Sequence, residues 1–425
     1  MEKHQLSKST FIRGVQCLKS LYLNKKRPFL RDRMPKERLI VFQRGHKVGE
    51  LAQELFPGGI NMSPGHPGAF KKAIINTIQK IEEGFPVIYE AAFQYDQVII
   101  FLDVLVHTGA GWHAYEVKSS GGISDTYLMD AALQYHVIKG AGIELNGISL
   151  VHIDREYILE DEIEVSKMFK IINVTDEALS RQEYVTQQIL REKDALNLEH
   201  SPKIDVGSHC RDPYDCDFLG HCWKNIPKAP AQAPEQQMDL DSFKKISHEF
   251  SGHSAFLRLM PMLPAVPMYR GSHPYQSIVY AYSILSQDGE ESQSLTFDPV
   301  SNPEENLIPA LKSDLGGISN IICFGQSYLI RRIFPDIPVL DLRNMIMDES
   351  DFFKEMKDKS ELEKLRIIFN IQTKEALPVY LSDAIAEHYY LKDFNDSDVK
   401  LNIKNYGLSW VNSLKELYNQ FHFQK

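Results

Sequence analysis

Asp103 and Glu116 stand in two consecutive apolar runs of the chain, Val98–Val106 and Trp112–Val117. The runs are separated by a His-Thr-Gly-Ala-Gly segment, and Lys118 follows Glu116 by two positions. Glycines between two apolar runs indicate a turn, so the stretch is predicted to form a β-hairpin. Because strand side chains alternate between faces, Glu116 and Lys118 are expected to project from the same side of their strand.

Two carboxylates and an ammonium on neighbouring strands are suited to hydrolytic chemistry. The carboxylates can hold a divalent cation such as Mg2+ or Mn2+, and the cation acidifies a bound water. Lys118 can orient that water or stabilise the charge that develops on a phosphodiester under attack. Charged strand ends are also common, so a surface hairpin with a salt bridge across it explains the same three residues.

The segment after the hairpin favours the hydrolytic interpretation. Residues 127–140 have apolar side chains at helical spacing, and this predicted helix carries Gln134 and Tyr135. The aspartate, the Glu-x-Lys pair and the following Gln-Tyr helix together resemble the RecB-like branch of the PD-(D/E)XK nucleases. That branch contains the CRISPR-associated iron–sulfur exonucleases and the AddB-type nuclease domain. The resemblance implies a restriction-endonuclease-like α/β fold for residues 1–226.

The resemblance also implies roles for individual residues. Asp103 and Glu116 are expected to bind Mg2+ or Mn2+, with the main-chain carbonyl of Val117 as a third ligand. Lys118 is expected to position the water. Contact with the DNA backbone is assigned to Gln134 and Tyr135.

A further metal ligand is expected from an upstream helix, as in other RecB-like nucleases. The segment Phe42–Phe56 is predicted to form this amphipathic helix, and either Glu50 or His46 is the candidate ligand. Glu90 lies on the predicted strand before the hairpin, where a structural role is favoured over a role as a further acidic contributor.

Cysteine spacing indicates a second kind of site. Cys210, Cys216 and Cys222 are separated by five residues each, and Cys17 lies far upstream. This spacing differs from the Cys-x2-Cys pairs of zinc ribbons, and three cysteines plus a distant fourth suit a [4Fe–4S] cluster. Spacing alone leaves zinc and unliganded thiols as alternatives. The iron–sulfur nucleases place one cysteine before the nuclease core and three after it, so the resemblance implies a [4Fe–4S] cluster here.

Composition limits the class of protein. The chain has 425 residues, 43% hydrophobic side chains and a formal net charge of −10. This length predicts two domains with substantial cores. The acidic balance argues against general affinity for nucleic acid, so contacts with DNA must be local. A polar first segment and the lack of a long apolar run predict a cytoplasmic protein without membrane contact.

The second half of the chain has its own resemblance. Residues 227–252 begin with a segment rich in Pro, Ala and Gln, which predicts an extended linker. The segments VGELAQELFPGG, IYEAAF and EVKSS and the HCRDPYDCDFLGHCW ending resemble a bacterial family that joins an iron–sulfur RecB-like nuclease to a DnaQ-like, RNase H-fold exonuclease. Where that family has a metal-binding Asp-Phe-Glu triplet, this chain has Arg258-Leu259-Met260. Residues 253–425 are therefore predicted to be a degenerate exonuclease-fold domain, with Asp341 as a remaining acid and Cys323 as a buried thiol.

These observations predict a metal-dependent DNA nuclease that acts on single strands or ends, in DNA repair or anti-phage defence. The alternative is a catalytically inactive nucleic-acid-binding or scaffold subunit of a larger nuclease or defence complex. A zinc-stabilised adaptor is a third interpretation. In each case the 253–425 domain is the expected site for a protein partner.

Overall fold

A computed structural model describes residues 3–34, 36–224, 226, 238–250, 252–295, 301–346, 359–372, 378–379 and 382–422. The chain divides into two compact units. The first contains Met1–Met34 and Val41–Ile226, and the second contains Pro35–Ile40 and Pro227–Lys425. Each unit is mixed α/β, with a sheet that contains both parallel and antiparallel strands. Within the described ranges, no helix is long and apolar enough to span a membrane.

The first unit alternates helices and strands along most of its length. Its strands are β1 (Leu6–Ser7), β2 (Ile60–Asn61), β3 (Val87–Tyr95), β4 (Val98–Thr108), β5 (Gly111–Lys118), β6 (Leu145–Ile153) and β7 (Phe169–Asn173). Its helices are α1 (Lys8–Gln16), α2 (Leu18–Lys26), α3 (Lys36–Ala52, which begins in the second unit), α4 (Phe70–Glu82), α5 (Asp125–Gly140), α6 (Val165–Met168), α7 (Thr175–Ser180), α8 (Gln182–Asn197) and α9 (Leu219–Cys222).

The strands of the first unit form one sheet in the order β2-β3-β4-β5-β6-β7, and β1 pairs with β4. Strands β3, β4 and β5 are antiparallel neighbours, whereas β5 and β6 are parallel. Parallel neighbours require a crossover connection, and α5 supplies it. This arrangement places the predicted hairpin at the centre of the sheet.

Helix α5 is buried along most of its length against the sheet. Its alanines and Leu133 are inaccessible and belong to the main core of the unit, together with Val137 and Ile138. Helices α1 and α8 contribute Phe11, Val185 and Ile189 to the same core. Burial of this apolar surface is the main stabilising contribution to the unit.

The second unit has a smaller sheet. Its strands are β8 (Ser254–Met262), β9 (Ile278–Ser286), β10 (Glu291–Leu295), β11 (Asn320–Cys323) and β12 (Val339–Asp341), in the order β10-β9-β8-β11-β12. Its helices are α10 (Leu240–Glu249), α11 (Glu304–Asp314), α12 (Ser327–Ile333), α13 (Glu361–Ile368), α14 (Asp383–Asp393) and α15 (Ser397–His422).

Helices cover both faces of this second sheet. Phe256 and Met260 of β8 pack with residues of α13, α14 and α15, whereas Leu257 and Leu259 pack with residues of α11 and α12. The alternation of side chains along β8 accounts for this division. Burial on both faces also explains why all nine residues of β8 are buried.

One prediction about local structure is wrong. Leu240–Glu249 is a helix rather than part of an extended linker, and Phe243 is fully buried in the core of the second unit. The Pro-rich signal belongs to residues 227–237, which lie outside the described residues together with residue 251. The extended backbone of Cys17 (φ −164°, ψ 115°) separates α1 from α2.

Candidate active site

The hairpin forms as predicted, with Asp103 and Glu116 on adjacent strands. Strands β4 and β5 pair with Val104 opposite Tyr115, and a tight turn at Gly109–Ala110 joins them. Continuing this register by one residue places Asp103 opposite Glu116. Residues directly opposite each other in an antiparallel pair project from the same face of the sheet. The structure therefore brings the two predicted metal ligands together.

Glu90 extends this pair into a row of three carboxyl groups. Strands β3 and β4 keep one register on both sides of Glu90, which therefore stands opposite Asp103. Its backbone is in the left-handed region, with φ 53°. Non-glycine residues hold this conformation at a cost of about 1–3 kcal/mol, and such residues cluster at functional sites. Glu90, Asp103 and Glu116, the acidic row, cross three neighbouring strands, which favours the interpretation of Glu90 as a further acidic contributor.

Glu116 is held by two ammonium groups. Lys8 Nζ and Lys118 Nζ each lie 2.7 Å from Glu116 Oε1, whose residue is 1% exposed. This contact confirms that Glu116 and Lys118 share one side of their strand. Lys118 also donates to Asp130 Oδ2 on α5, and Lys8 Nζ lies 3.9 Å from the same oxygen. A network of two lysines and two buried carboxylates thus sits at the end of the acidic row.

The charges shift the pKa values of the acidic row in opposite directions. Burial, followed by the Glu116 carboxylate, raises the pKa of Asp103. Burial alone would raise the pKa of Glu116, but Lys118 and Lys8 outweigh it and hold that pKa below its usual range. Burial also raises the pKa of Glu90, whose charged neighbours are Lys8, Glu116 and His46. Neighbouring carboxyl groups with separated pKa values are typical of functional sites.

Two carboxylate oxygens of the network are suited to bind a cation. Glu116 Oε2 and Asp130 Oδ1 are buried and accept no hydrogen bond from the described residues. A buried carboxylate oxygen without a partner is costly, and oxygen donors are those that Mg2+ and Mn2+ prefer. In the described part of the chain, no three His, Cys, Asp or Glu side chains have the arrangement of a formed metal site. Lysine ammonium groups contact Glu116 and Asp130 instead.

The structure places the other predicted ligands, Val117, His46 and Glu50, in different surroundings. The main-chain N–H of Val117 donates to Asp103 Oδ2 at 2.6 Å, which fixes that carboxyl group. Helix α3 approaches the end of β5, because a side chain at Gly45 would meet Ser119 Oγ at 3.9 Å. His46, the next residue, is within electrostatic range of Glu90. Glu50 and His46 are both exposed, so burial does not discriminate between the two candidates, and the choice of the further ligand stays a prediction.

Gln134 and Tyr135 are buried and therefore not accessible to a ligand. Gln134 is 0% exposed and its amide atoms have no hydrogen-bond partner among the described residues. Tyr135 is buried in the apolar core. Their burial does not support the predicted contact with a DNA phosphate, because α5 packs against the sheet along this segment.

Sequence reasoning missed Lys8 and Asp130. Lys8 is 108 residues from Glu116, and nothing in the local sequence distinguishes it from other lysines near the start of the chain. Asp130 had a detectable signal, since it is a charged residue amid the apolar positions of the predicted helix.

The four predicted cluster cysteines come together in the first unit. Cys17, Cys210, Cys216 and Cys222 all line one cavity, with Phe218 and Ser20 among its other walls. None of them forms a disulfide, and Cys216 Sγ donates to Ser20 Oγ at 3.2 Å. Burial raises the pKa of Cys17 and of Cys222, with the other cavity thiols as charged neighbours. Thiolates are the ligands of iron–sulfur clusters and of structural zinc, but in the described part of the chain these four thiols do not have the arrangement of a formed metal site.

A tyrosine links the cysteine cavity to the acidic row. Tyr214 lies between Cys210 and Cys216, and Gln16 Nε2 donates to its carbonyl at 2.6 Å. The Tyr214 phenol hydrogen-bonds with Tyr127, and Lys118 Nζ lies 5.1 Å from the centroid of the Tyr127 ring. The two candidate sites are therefore neighbours within one unit.

The second unit has a buried arginine where the family resemblance expects the first acid. Arg258 is 3% exposed, and its Nη2 lies 2.6 Å from Asp383 Oδ1. Its guanidinium also stacks 4.3 Å from the centroid of the Trp410 ring. Asp341 accepts main-chain hydrogen bonds from Gly325, Ser327 and Arg343. Asp383 and Asp341 therefore each have a structural partner within the second unit. Cys323 is fully buried, as predicted.

Comparison with known proteins adds little to this geometry. Residues 261–397 match the family described as Domain of unknown function (DUF2779). Curated proteins give no match. Among solved structures, the family B DNA polymerase of the hyperthermophilic archaeon Pyrobaculum calidifontis is similar at 10% identity and a TM-score of 0.30, over 78% of this chain and 46% of the polymerase. The chain thus spans less than half of the polymerase, and a similarity this low carries no argument.

Proposed function

We propose that the first unit is a metal-dependent nuclease that hydrolyses phosphodiester bonds in DNA. One observation carries the proposal: three carboxyl groups form a row across β3, β4 and β5, with the Lys118 ammonium 2.7 Å from the last of them. This arrangement agrees with the RecB-like PD-(D/E)XK resemblance, in which an aspartate and a Glu-x-Lys pair lie on neighbouring strands. The mixed sheet and the buried helix between β5 and β6 are also what that resemblance implies.

Asp103, Glu116 and Glu90 are the residues that would hold Mg2+ or Mn2+. A divalent cation bound there supplies an acidified water and neutralises charge on the phosphate. Lys118 is fixed by Glu116 and Asp130, so its ammonium is ready to orient the attacking water or to stabilise negative charge on the phosphorus centre. A preorganised donor of this kind contributes more than a mobile one, because it needs no reorganisation during the reaction.

The four cavity cysteines would hold a [4Fe–4S] cluster with a structural role, and zinc is the alternative ligand for the same thiols. Cys17 and the three later cysteines come from opposite ends of the first unit. A metal centre there would join the two ends and contribute to folding. Free thiols agree with a reducing compartment such as the cytoplasm.

The second unit is proposed to be a degenerate RNase H-like domain that serves binding or assembly rather than catalysis. Its five-stranded mixed sheet, covered by helices on both faces, supports such an α/β fold. The buried Arg258 supports the loss of catalysis, because its permanent positive charge would repel a metal ion beside Asp383.

Cleavage of single- and double-stranded DNA in the presence of Mg2+, Mn2+ or no divalent cation tests the nuclease proposal. Wild-type protein should cleave only with a divalent cation, and Glu116→Gln should lower the rate by about 10²-fold or more, as loss of one preorganised catalytic group does. Glu83→Gln, at the exposed position directly after α4, is the matched control and should cleave normally. Wild-type protein that cuts none of these substrates, or a fully active Glu116→Gln variant, would contradict the proposal.

A further inference from the structure

Lys8 is fixed in the first unit by its backbone. Strand β1 pairs in parallel with β4 at Leu6 and Ser7, directly before Lys8. The main-chain N–H of Ser7 then donates to Thr10 Oγ1 at 2.7 Å, in the capping arrangement that starts α1. Lys8 is therefore the first residue of a capped helix whose start is attached to the central sheet. Its side chain enters the site from a defined position.

The two lysines of the site differ in their remaining capacity to bind a ligand. Lys118 contacts both Glu116 and Asp130 closely, and its side chain is 14% exposed. Lys8 has one close contact, at 2.7 Å to Glu116, and its side chain is 30% exposed. An ammonium group has three N–H donors. Lys8 therefore combines donor capacity with access to solvent, whereas Lys118 is committed to the network.

A positive group that is free to contact a ligand would help to balance the charge of the site, beside the divalent cation of the proposed function. The acidic row contains Glu90, Asp103 and Glu116, and a phosphodiester brings a further negative charge to it. Like charges that lie close together repel each other, so a phosphodiester binds at the acidic row only if positive groups are also close. A lysine ammonium is a compact point charge that binds phosphate oxygens well.

We infer that Lys8 binds a phosphate oxygen of the nucleic-acid substrate at the acidic row. This inference rests on the proposed nuclease function and adds a substrate-binding residue from the start of the chain. Lys118 keeps its place between Glu116 and Asp130, and Lys8 shifts part of its hydrogen bonding from Glu116 to the phosphate. If Lys8 served only to neutralise Glu116, it would influence cleavage without forming an ionic contact with the substrate.

The salt dependence of DNA binding separates these two roles. Each phosphate contact adds about 0.7 to the slope of log affinity against log salt concentration for a single strand. Binding of a labelled single-stranded oligonucleotide to full-length protein is measured at several salt concentrations. Ca2+ replaces Mg2+ in the binding buffer, and a gel verifies that the oligonucleotide stays intact. The variants are Lys8→Met and Lys8→Arg, and Lys167→Met is the exposed control on α6.

Lys8→Met should bind more weakly than wild-type protein and should lower the slope by about 0.7, whereas Lys8→Arg should restore the slope. Lys167→Met should have the wild-type slope. An unchanged slope for Lys8→Met, in protein that has a wild-type circular dichroism spectrum, would overturn the inference even if cleavage falls. If wild-type protein cleaves DNA and Lys8→Met has an unchanged slope, only the role of Lys8 is refuted. Wild-type protein that neither binds nor cleaves would refute the nuclease function as well.

Discussion

Glu192 on α8 is a carboxyl group whose burial should control the pH dependence of stability. It is fully buried, and its Oε2 accepts no hydrogen bond from the described residues. Burial raises its pKa to about 9, against smaller opposing effects of Gln188 and Arg191. The folded state therefore retains a proton that the unfolded chain loses near pH 4.5. Stability from this group is complete below that pH and decreases as the pH rises toward 9.

Glu192→Gln should be more stable than wild-type protein at pH 8 and should lose this advantage at pH 4 to 5. The amide keeps the shape of the protonated carboxyl group but cannot ionise. Urea denaturation at a series of pH values measures the difference. Glu183→Gln, at an exposed position on the same helix, is the control and should show no pH-dependent difference. An advantage for Glu192→Gln that stays constant with pH would mean that Glu192 ionises in the folded protein.

At the scale of elements, α1 joins the two candidate sites. Lys8 is its first residue, and Cys17 follows its last residue. Between them, Gly14 packs directly against α8, since a Cβ atom added there would lie 2.3 Å from Glu192 Cδ. Glu192 is fully buried, so its side chain cannot turn into solvent to make room. The position of α1, and with it the positions of Lys8 and Cys17, therefore depends on the absence of a side chain at Gly14.

Gly14→Ala should destabilise the protein by about 1–3 kcal/mol, because overpacking of a tight contact forces side chains or the backbone to shift. Chemical denaturation measures the change in the free energy of unfolding. Gly49→Ala in α3 is the matched control, since no atom lies within 4 Å of the added methyl group. Alanine is favoured over glycine in a helix by up to about 1 kcal/mol, so the control should be neutral or more stable. Equal stabilities of the two variants would show that α8 can move to accommodate the methyl group added at Gly14 without a loss of stability.

At the scale of the whole molecule, the two units differ in their cysteines. The first unit has four cysteines around one cavity, and the second has Cys323 in its apolar core. Protein purified without oxygen should be brown and absorb broadly near ~400 nm, as thiolate-ligated iron–sulfur clusters do. Cys17→Ala should lose this absorbance and lower the melting temperature, because the centre would join the two ends of the first unit.

Cys323→Ala is the control for that experiment and should keep the absorbance, since this residue contributes only to packing. Iron and zinc contents are measured on the same samples. Colourless wild-type protein with one equivalent of zinc would show that the four thiols bind zinc rather than an iron–sulfur cluster. It would leave the proposed nuclease site unaffected, because the acidic row has no cysteine.

The sequence by itself determined the features that depend on neighbours along the chain. Two apolar runs around a glycine-containing turn predicted the hairpin, and a spacing of two residues placed Glu116 and Lys118 on one side of a strand. The apolar pattern of residues 127–140 likewise predicted α5, although its start at Asp125 was two residues earlier. These features are local because strand and helix periodicities fix which side chains share a face.

Only the tertiary structure decided which distant residues complete the site. Lys8 reaches Glu116 because β1 pairs with β4, and Glu90 enters the acidic row because of the register between β3 and β4. Packing of α5 against the sheet removed Gln134 from the surface, although its polarity suggested a ligand contact. Strand pairing and helix packing join residues that are far apart in sequence, so no local pattern of residue types could have specified these contacts.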